Sequence, residues 1–308
     1  MLRSLSTTSV LLPCDYFHAI VTVPPELRAA FRRDQKVLYG LWMQVAAEAV
    51  KECCAQKRHL GALPGILAVL HTWNGQLGYH PHVHLLITGG GITHDGQHWK
   101  PARGEYLVPV AVLSRKIAAK FRETLKAAAP ALFASLPPSV WRREWVSYLK
   151  HYGHGNDAVL NYLSRYVFRT AISNARILSM DPTHVTFRWK DRRADAWQTE
   201  RIPGVEFLRR FLQHVLPRGF HKVRYYGLWH PSKRTESKRA WLLLILETPA
   251  DAALPPTLAD LSETPGQHAE LSQAFARPAD EDLDTPPCPH CGSRRTKLLG
   301  EWPRFGVP

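Results

Sequence analysis

The run His80-Pro81-His82-Val83-His84-Leu85-Leu86-Ile87-Thr88, closed by Gly89-Gly90-Gly91, constrains this chain more than any other stretch. Side chains alternate across a strand, so a strand here places His80, His82 and His84 on one face and Val83, Leu85 and Ile87 on the other. Only a sheet with one face on a core and the other turned to something polar satisfies both sets. The triple glycine predicts a flexible turn after the strand, where backbone approaches a ligand closely. A His-x-His pair taken alone is equally compatible with surface or core histidines. Its flanks point to a metal site, because His80 continues the period and His71 stands on a preceding predicted strand. Imidazole suits several divalent metals.

The pattern around this strand mixes helix and sheet. Residues 16–23 are β-branched and aromatic and stop at Pro24-Pro25, and residues 65–73 and 82–88 read as further strands. Residues 26–56 carry apolar positions at helical spacing, enough for one long helix or two, and 111–128 and 157–169 repeat that signal, with Asp157 as the expected N-cap. Residues 184–190 and 196–202 predict a hairpin, 205–216 a helix and 220–229 a strand. The expected class is α+β, with a central antiparallel sheet flanked by helices.

Charge divides the chain. Of the formal net charge of +14, residues 247–287 carry −8 and residues 288–308 carry +3, which leaves +19 on residues 1–246. So basic a body favours a polyanionic partner, nucleic acid ahead of acidic lipid. The segment 247–287 is acidic and rich in proline, and is expected to be a disordered linker. The tail 288–308 carries Cys288-x-x-Cys291, half of a four-ligand zinc site; an incomplete knuckle is expected there rather than bound zinc. The five cysteines form no disulfide framework, which suits a reducing cytoplasm. No apolar run reaches membrane-spanning length, so no membrane partner is expected.

A second chemical element is Asn161-Tyr162-Leu163-Ser164-Arg165-Tyr166-Val167-Phe168-Arg169. On a helix, Tyr162, Tyr166 and Arg169 share one face. The plain alternative is a packing pair on an amphipathic helix. A phenol with a pKa of about 10 is a weak nucleophile at neutral pH. A cation-bound phosphate and Arg169 would offset that handicap, with Arg165 off this face and free to hold a DNA phosphate. The chain lacks a G-x-x-x-x-G-K-S/T loop, so no nucleotide-driven module is expected. Residues 206–239 interleave nine Lys/Arg with aromatics; Arg224, Tyr225 and Tyr226 are the DNA-contact candidates there.

The stretch Leu77 to His84 with its triple glycine resembles the histidine–hydrophobe–histidine motif of rolling-circle insertion-sequence transposases, the two-tyrosine HUH type of the "IS ninety-one" family. So do Leu12-Pro13-Cys14-Asp15-Tyr16-Phe17-His18, Tyr162 through Asn174, Arg210 through Phe220 and Arg224-Tyr225-Tyr226-Gly227-Leu228. The resemblance implies a nuclease domain over 12–246. It also implies His82 and His84 as ligands of Mg²⁺ or Mn²⁺, and Tyr162 and Tyr166 as nucleophiles; for the third ligand His80 and His71 are the candidates. The implied activity is nicking and rejoining of single-stranded DNA at transposon ends and target, through a 5′-phosphotyrosine. It further implies an upstream cysteine-rich zinc-binding segment, and the chain reads as N-terminally truncated relative to that pattern. The rival readings are a replication initiator or relaxase of the same chemistry, a truncated DNA-binding remnant with impaired catalysis, and a metal-dependent hydrolase.

Overall fold

The computed structural model describes residues 11–247 apart from 143, 144, 146, 192 and 193. Strand β1 (Asp15–Thr22) leads through a 3₁₀ turn at Pro25–Leu27 into α1 (Arg28–Arg33) and the long α2 (Gln35–Ala55). Strands β2 (Gly65–Trp73) and β3 (Tyr79–Thr88) follow as a hairpin, then the short pair β4 (Gly90–Ile92) and β5 (Trp99–Pro101). Helices α3 (Val110–Ala128) and α4 (Pro130–Ser135) precede β6 (Ser147–His154) and α5 (Gly155–Tyr162), which continues as a π-helical turn over Leu163–Val167. Next come β7 (Ile177–Met180), β8 (His184–Asp191), β9 (Ala196–Pro203), α6 (Gly204–Leu212), β10 (Val223–Gly227) and α7 (Arg234–Glu247).

The main sheet has the order β10-β2-β3-β1-β6, and every neighbouring pair is antiparallel. Alternation then sorts the side chains. Phe17, Ala19 and Val21 of β1, Ile66, Ala68 and Leu70 of β2, and Val83, Leu85 and Ile87 of β3 form one buried face. Helices α2 and α3 cover it with Trp42, Met43 and Val50, and with Leu113, Ile117, Phe121 and Leu125 at four-residue steps. Each such large side chain contributes about 1.5–3 kcal/mol when fully buried. The opposite face packs Tyr16, Leu67, Val69 and Leu86 against Val159 and Tyr162 of α5, Leu228, and Ala240 of α7. The histidines share this face, with His18, His71 and His84 buried and His82 half-buried.

A three-stranded antiparallel sheet, β7-β8-β9, forms a smaller lobe around Phe187, Ile202 and Leu77. It grips the β2–β3 turn. The Leu77 carbonyl accepts bonds from Gln213 Nε2 at 2.8 Å and His214 Nε2 at 3.0 Å. Leu77 has φ +60°, a left-handed conformation unusual for a branched residue, and these bonds together with its full burial hold it there.

Three sequence expectations change. The triple glycine is not a flexible turn open to a ligand, because all three residues are buried. A Cβ on Gly91 would lie 2.5 Å from the Leu63 carbonyl oxygen and one on Gly89 2.7 Å from that of Asp15, so the close approach is to the protein's own backbone. Asp157 lies in the first turn of α5, and the N-cap is His154. β6 was not anticipated; its Ser-Tyr-Leu-Lys-His-Tyr-Gly-His run is polar because it is an edge strand of the main sheet. Apart from Glu247, the acidic 247–287 segment and the 288–308 tail with Cys288 and Cys291 lie outside the described residues.

Candidate active site

Antiparallel pairing of β2 with β3 sets His71 directly opposite His82, with His84 two residues further along the same face. One nitrogen from each of His71, His82 and His84 lies within 4.8 Å of the others, a group able to hold a metal ion. The other nitrogen of each ring is already engaged. His82 Nδ1–H donates to the His80 carbonyl at 2.7 Å, and His71 Nε2–H donates to the Tyr166 carbonyl at 2.7 Å. His84 Nδ1 lies 2.9 Å from His18 Nε2. A carbonyl can only accept, so the two carbonyl contacts fix the orientation and tautomer of His82 and His71 and make His82 Nε2 and His71 Nδ1 the nitrogens that would meet a cation.

Burial keeps His18, His71 and His84 neutral. Desolvation pushes His71 down to about 4, with Lys222 and Arg169 adding to the effect. Burial pushes His18 down to about 4 as well, and it lowers His84 further, aided by His82, His71, His18 and Arg169. Neutral imidazole is the form that binds a cation. Of the two candidates for the third imidazole, His80 does not join the group. It precedes His82 where β2 breaks register at a bulge between His71 and Trp73, and its part in the site is the carbonyl that orients His82. His71 takes the third place.

The two tyrosines are not equivalent. Tyr162, the last residue of α5, is 0% exposed, and its hydroxyl donates to the His84 carbonyl at 2.9 Å. Burial, then the neighbouring Tyr166 and Tyr152, raise its pKa well above the ordinary phenol value. Tyr166 lies on the π turn and is only half-buried. Its ring stacks over His84 at 4.2 Å between centroids and stands 4.7 Å from His18. π-helical turns concentrate at functional sites, where the wider turn shifts the register of the side chains that follow. The two rings stay neighbours, 5.0 Å between centroids, and differ in burial.

Arg169 lies beyond the helical turn, which ends at Val167, so helical periodicity does not place it. Its charge still reaches His71 and His84, lowering both. Lys222 reaches towards the Arg169 carbonyl and also acts on His71. Arg165 is exposed on the π turn and acts on Tyr152 instead. Sequence reasoning had given no site role to His18, Tyr152 or Lys222. The signal for His18 was present: on β1 it alternates with Phe17 and Ala19, a polar residue on the face opposite to the core.

The third basic element divides. Strand β10 is an edge strand, and Tyr225 packs on the histidine face while Tyr226 packs on the α2 face. Arg224 also turns to that side, its guanidinium 5.0 Å from the Phe220 ring and near Gly40 of α2. A groove of about 710 Å³ runs along β10, lined by Lys51, Arg224, Tyr225, Tyr226, His230 and Lys233 among others.

The family described as "Putative transposase" matches residues 65–238, which include β2, β3, α5 and the π turn. The chain is 39% identical over 234 residues to "Putative transposase y4qJ" of Sinorhizobium fredii, covering 70% of this chain and 59% of that protein. It is 29% identical over 232 residues to "Transposase for insertion sequence element IS801" of Pseudomonas savastanoi pv. phaseolicola, covering 70% of this chain and 54% of that protein. The chain thus spans between half and three-fifths of the length of these relatives. No solved structure matches. No described helix is long and apolar enough to cross a membrane.

Proposed function

The chain belongs to the transposase family that matches its residues 65–238, and from that premise we propose that it nicks and rejoins single-stranded DNA by tyrosine attack in rolling-circle transposition. The observation that carries this reading is the Tyr166 ring stacked over His84 of the imidazole trio. It sets a phenol and a cation site side by side, as transfer of a phosphodiester to tyrosine requires.

In the first step Tyr166 Oη attacks the scissile phosphorus. The O–P bond to tyrosine forms as the bond from phosphorus to the 3′ oxygen breaks. The phenolic proton passes to solvent, and the departing 3′ oxygen gains a proton to become a 3′-OH. The products are a 5′-phosphotyrosine and a free 3′ end. Attack by a 3′-OH on that linkage reverses the exchange, so rejoining needs no nucleotide. Bound at His71, His82 and His84, a divalent cation would supply Lewis-acid polarisation of the phosphate. An all-imidazole set favours Mn²⁺ over Mg²⁺, a harder ion that prefers oxygen ligands. Arg169 and Lys222 place two further positive charges at the site, which offset the charge developing on the phosphate oxygens. The basic groove along β10 is the proposed path for flanking DNA, with Arg224 on phosphate and Tyr225 and Tyr226 against bases.

The buried Tyr162 hydroxyl favours a division of labour in which Tyr166 opens the cycle and Tyr162 serves only after α5 rearranges. A single reactive tyrosine also suits the replication-initiator or relaxase reading. Incubation with labelled single-stranded DNA and Mn²⁺, followed by denaturing electrophoresis, tests the chemistry. A covalent protein–DNA adduct is expected, and cut DNA without any adduct would point to a hydrolase.

A further inference from the structure

The imidazole of His18 belongs to no role described so far. It is 5% exposed on β1, and its Nε2 lies 2.9 Å from His84 Nδ1. The two rings are 13° from parallel and 5.2 Å apart between centroids, the separation of an end-on nitrogen-to-nitrogen contact. Two neutral imidazoles sharing this contact have two arrangements. If His84 carries the proton on Nδ1, it donates to His18 and its Nε2 lone pair faces His71 and His82. If His18 carries the proton on Nε2, His84 must carry its own on Nε2, where an N–H would point at the cation position. Only the first arrangement lets His84 act as a ligand.

We infer that His18 is a positioning residue that holds His84 in the Nδ1-protonated tautomer and so completes the metal site. This rests on the reading of His71, His82 and His84 as ligands. Each of the other two imidazoles is held by a main-chain carbonyl, which can only accept. His84 alone is held by a side chain, so its tautomer is coupled to that of His18: with His18 as acceptor, the proton of His84 sits on Nδ1. The same contact sets a platform for the nucleophile. The Tyr166 ring lies 4.2 Å from His84 and 4.7 Å from His18, so it rests across both imidazoles. A His84 ring free to turn would displace Tyr166 with it.

The test measures Mn²⁺ binding by titration calorimetry on the full chain, with DNA absent. His18→Leu removes the acceptor, whereas His18→Gln restores an acceptor oxygen near the position of Nε2. Removing an outer partner of a metal ligand lowers affinity by about 10–100-fold. That loss is expected for His18→Leu, with His18→Gln recovering to within about threefold of wild type. A role in packing alone would leave Gln no better than Leu, and that result overturns the inference. Equal Mn²⁺ binding by wild type and His18→Leu overturns it too, while leaving the trio as the metal site. Mn²⁺ binding that is absent in wild type, or unchanged in His82→Ala, removes the trio reading and this inference with it. Should His18→Leu fail to fold, long-range ¹H–¹⁵N correlation on wild type with diamagnetic Zn²⁺ decides the matter. A proton on His84 Nδ1 is expected, and ligation through Nδ1 refutes the inference.

Discussion

Replacing Tyr162 and Tyr166 one at a time by Phe separates the two phenols. To attack, Tyr162 must leave its pocket. That breaks the 2.9 Å bond to the His84 carbonyl, a loss of about 1 kcal/mol, and exposes a buried ring, about 2–3 kcal/mol more. A cost near 3–4 kcal/mol leaves the exposed state at about one part in 10²–10³. Tyr166→Phe should therefore slow first-strand adduct formation by about 10²–10³-fold, the remainder passing through Tyr162. Tyr162→Phe should keep the rate within about threefold, because the hydroxyl it loses makes no part of the first attack. It should instead lower the melting temperature by about 2–4 °C, as loss of one buried hydrogen bond does in a body of this size. The assay is a time course of adduct on labelled single-stranded DNA, with circular dichroism to confirm folding. Tryptic digestion locates the adduct, since cleavage after Arg165 puts Tyr162 and Tyr166 on different peptides. A folded Tyr162→Phe protein that forms no adduct, or an adduct mapped to the Tyr162 peptide, refutes the reasoning.

Other outcomes follow from the same geometry. His71→Ala should weaken Mn²⁺ binding at least tenfold and His80→Ala less than threefold, and the reverse order in calorimetry would return His80 to the ligand set. His18, His71 and His84 all have folded-state values depressed below the ordinary imidazole value of about 6.5, so between about pH 6.5 and 4 the unfolded chain binds more protons. Stability is therefore full above that window and falls as pH drops through it, by up to about 1.4 kcal/mol per pH unit for each ring. Urea denaturation across the range should show the slope, and saturating Mn²⁺, by binding only the neutral form, should raise stability throughout and extend the native rings' neutrality to lower pH; a flat profile would contradict the burial argument. If the β10 groove carries DNA, Arg224→Ala should reduce the slope of log K against log salt by about 0.7 for a single strand, measured by fluorescence anisotropy. An unchanged slope would move the DNA path elsewhere.

Much of this was legible from local pattern. The alternation of His82-Val83-His84-Leu85 led to a strand with an imidazole face, and the helical spacing of Leu113, Ile117, Phe121 and Leu125 led to a core-facing helix. Both signals are strong because one face of each element is buried and a shift by a single residue would reverse it. β6 is not legible in the sequence, because an edge strand with few apolar residues carries little periodic signal. Nor is the π turn, because the residues of Leu163–Val167 suit a regular helix equally well.

By itself, the chain's order of residues determined which groups the site contains: histidines on one strand face, two phenols four apart, and a basic body around them. Tertiary structure alone decided which of them meet. Register between β2 and β3 grouped His71 rather than His80 with the pair, because its cross-strand position brings the His71 ring against both His82 and His84, at 5.5 and 4.7 Å between centroids. Packing of α5 on the sheet made the two phenols unequal, because the helix buries the Tyr162 hydroxyl against a strand carbonyl and turns the Tyr166 ring onto His84. Both choices depend on contacts across more than seventy residues or between paired strands, distances over which no local periodicity carries information.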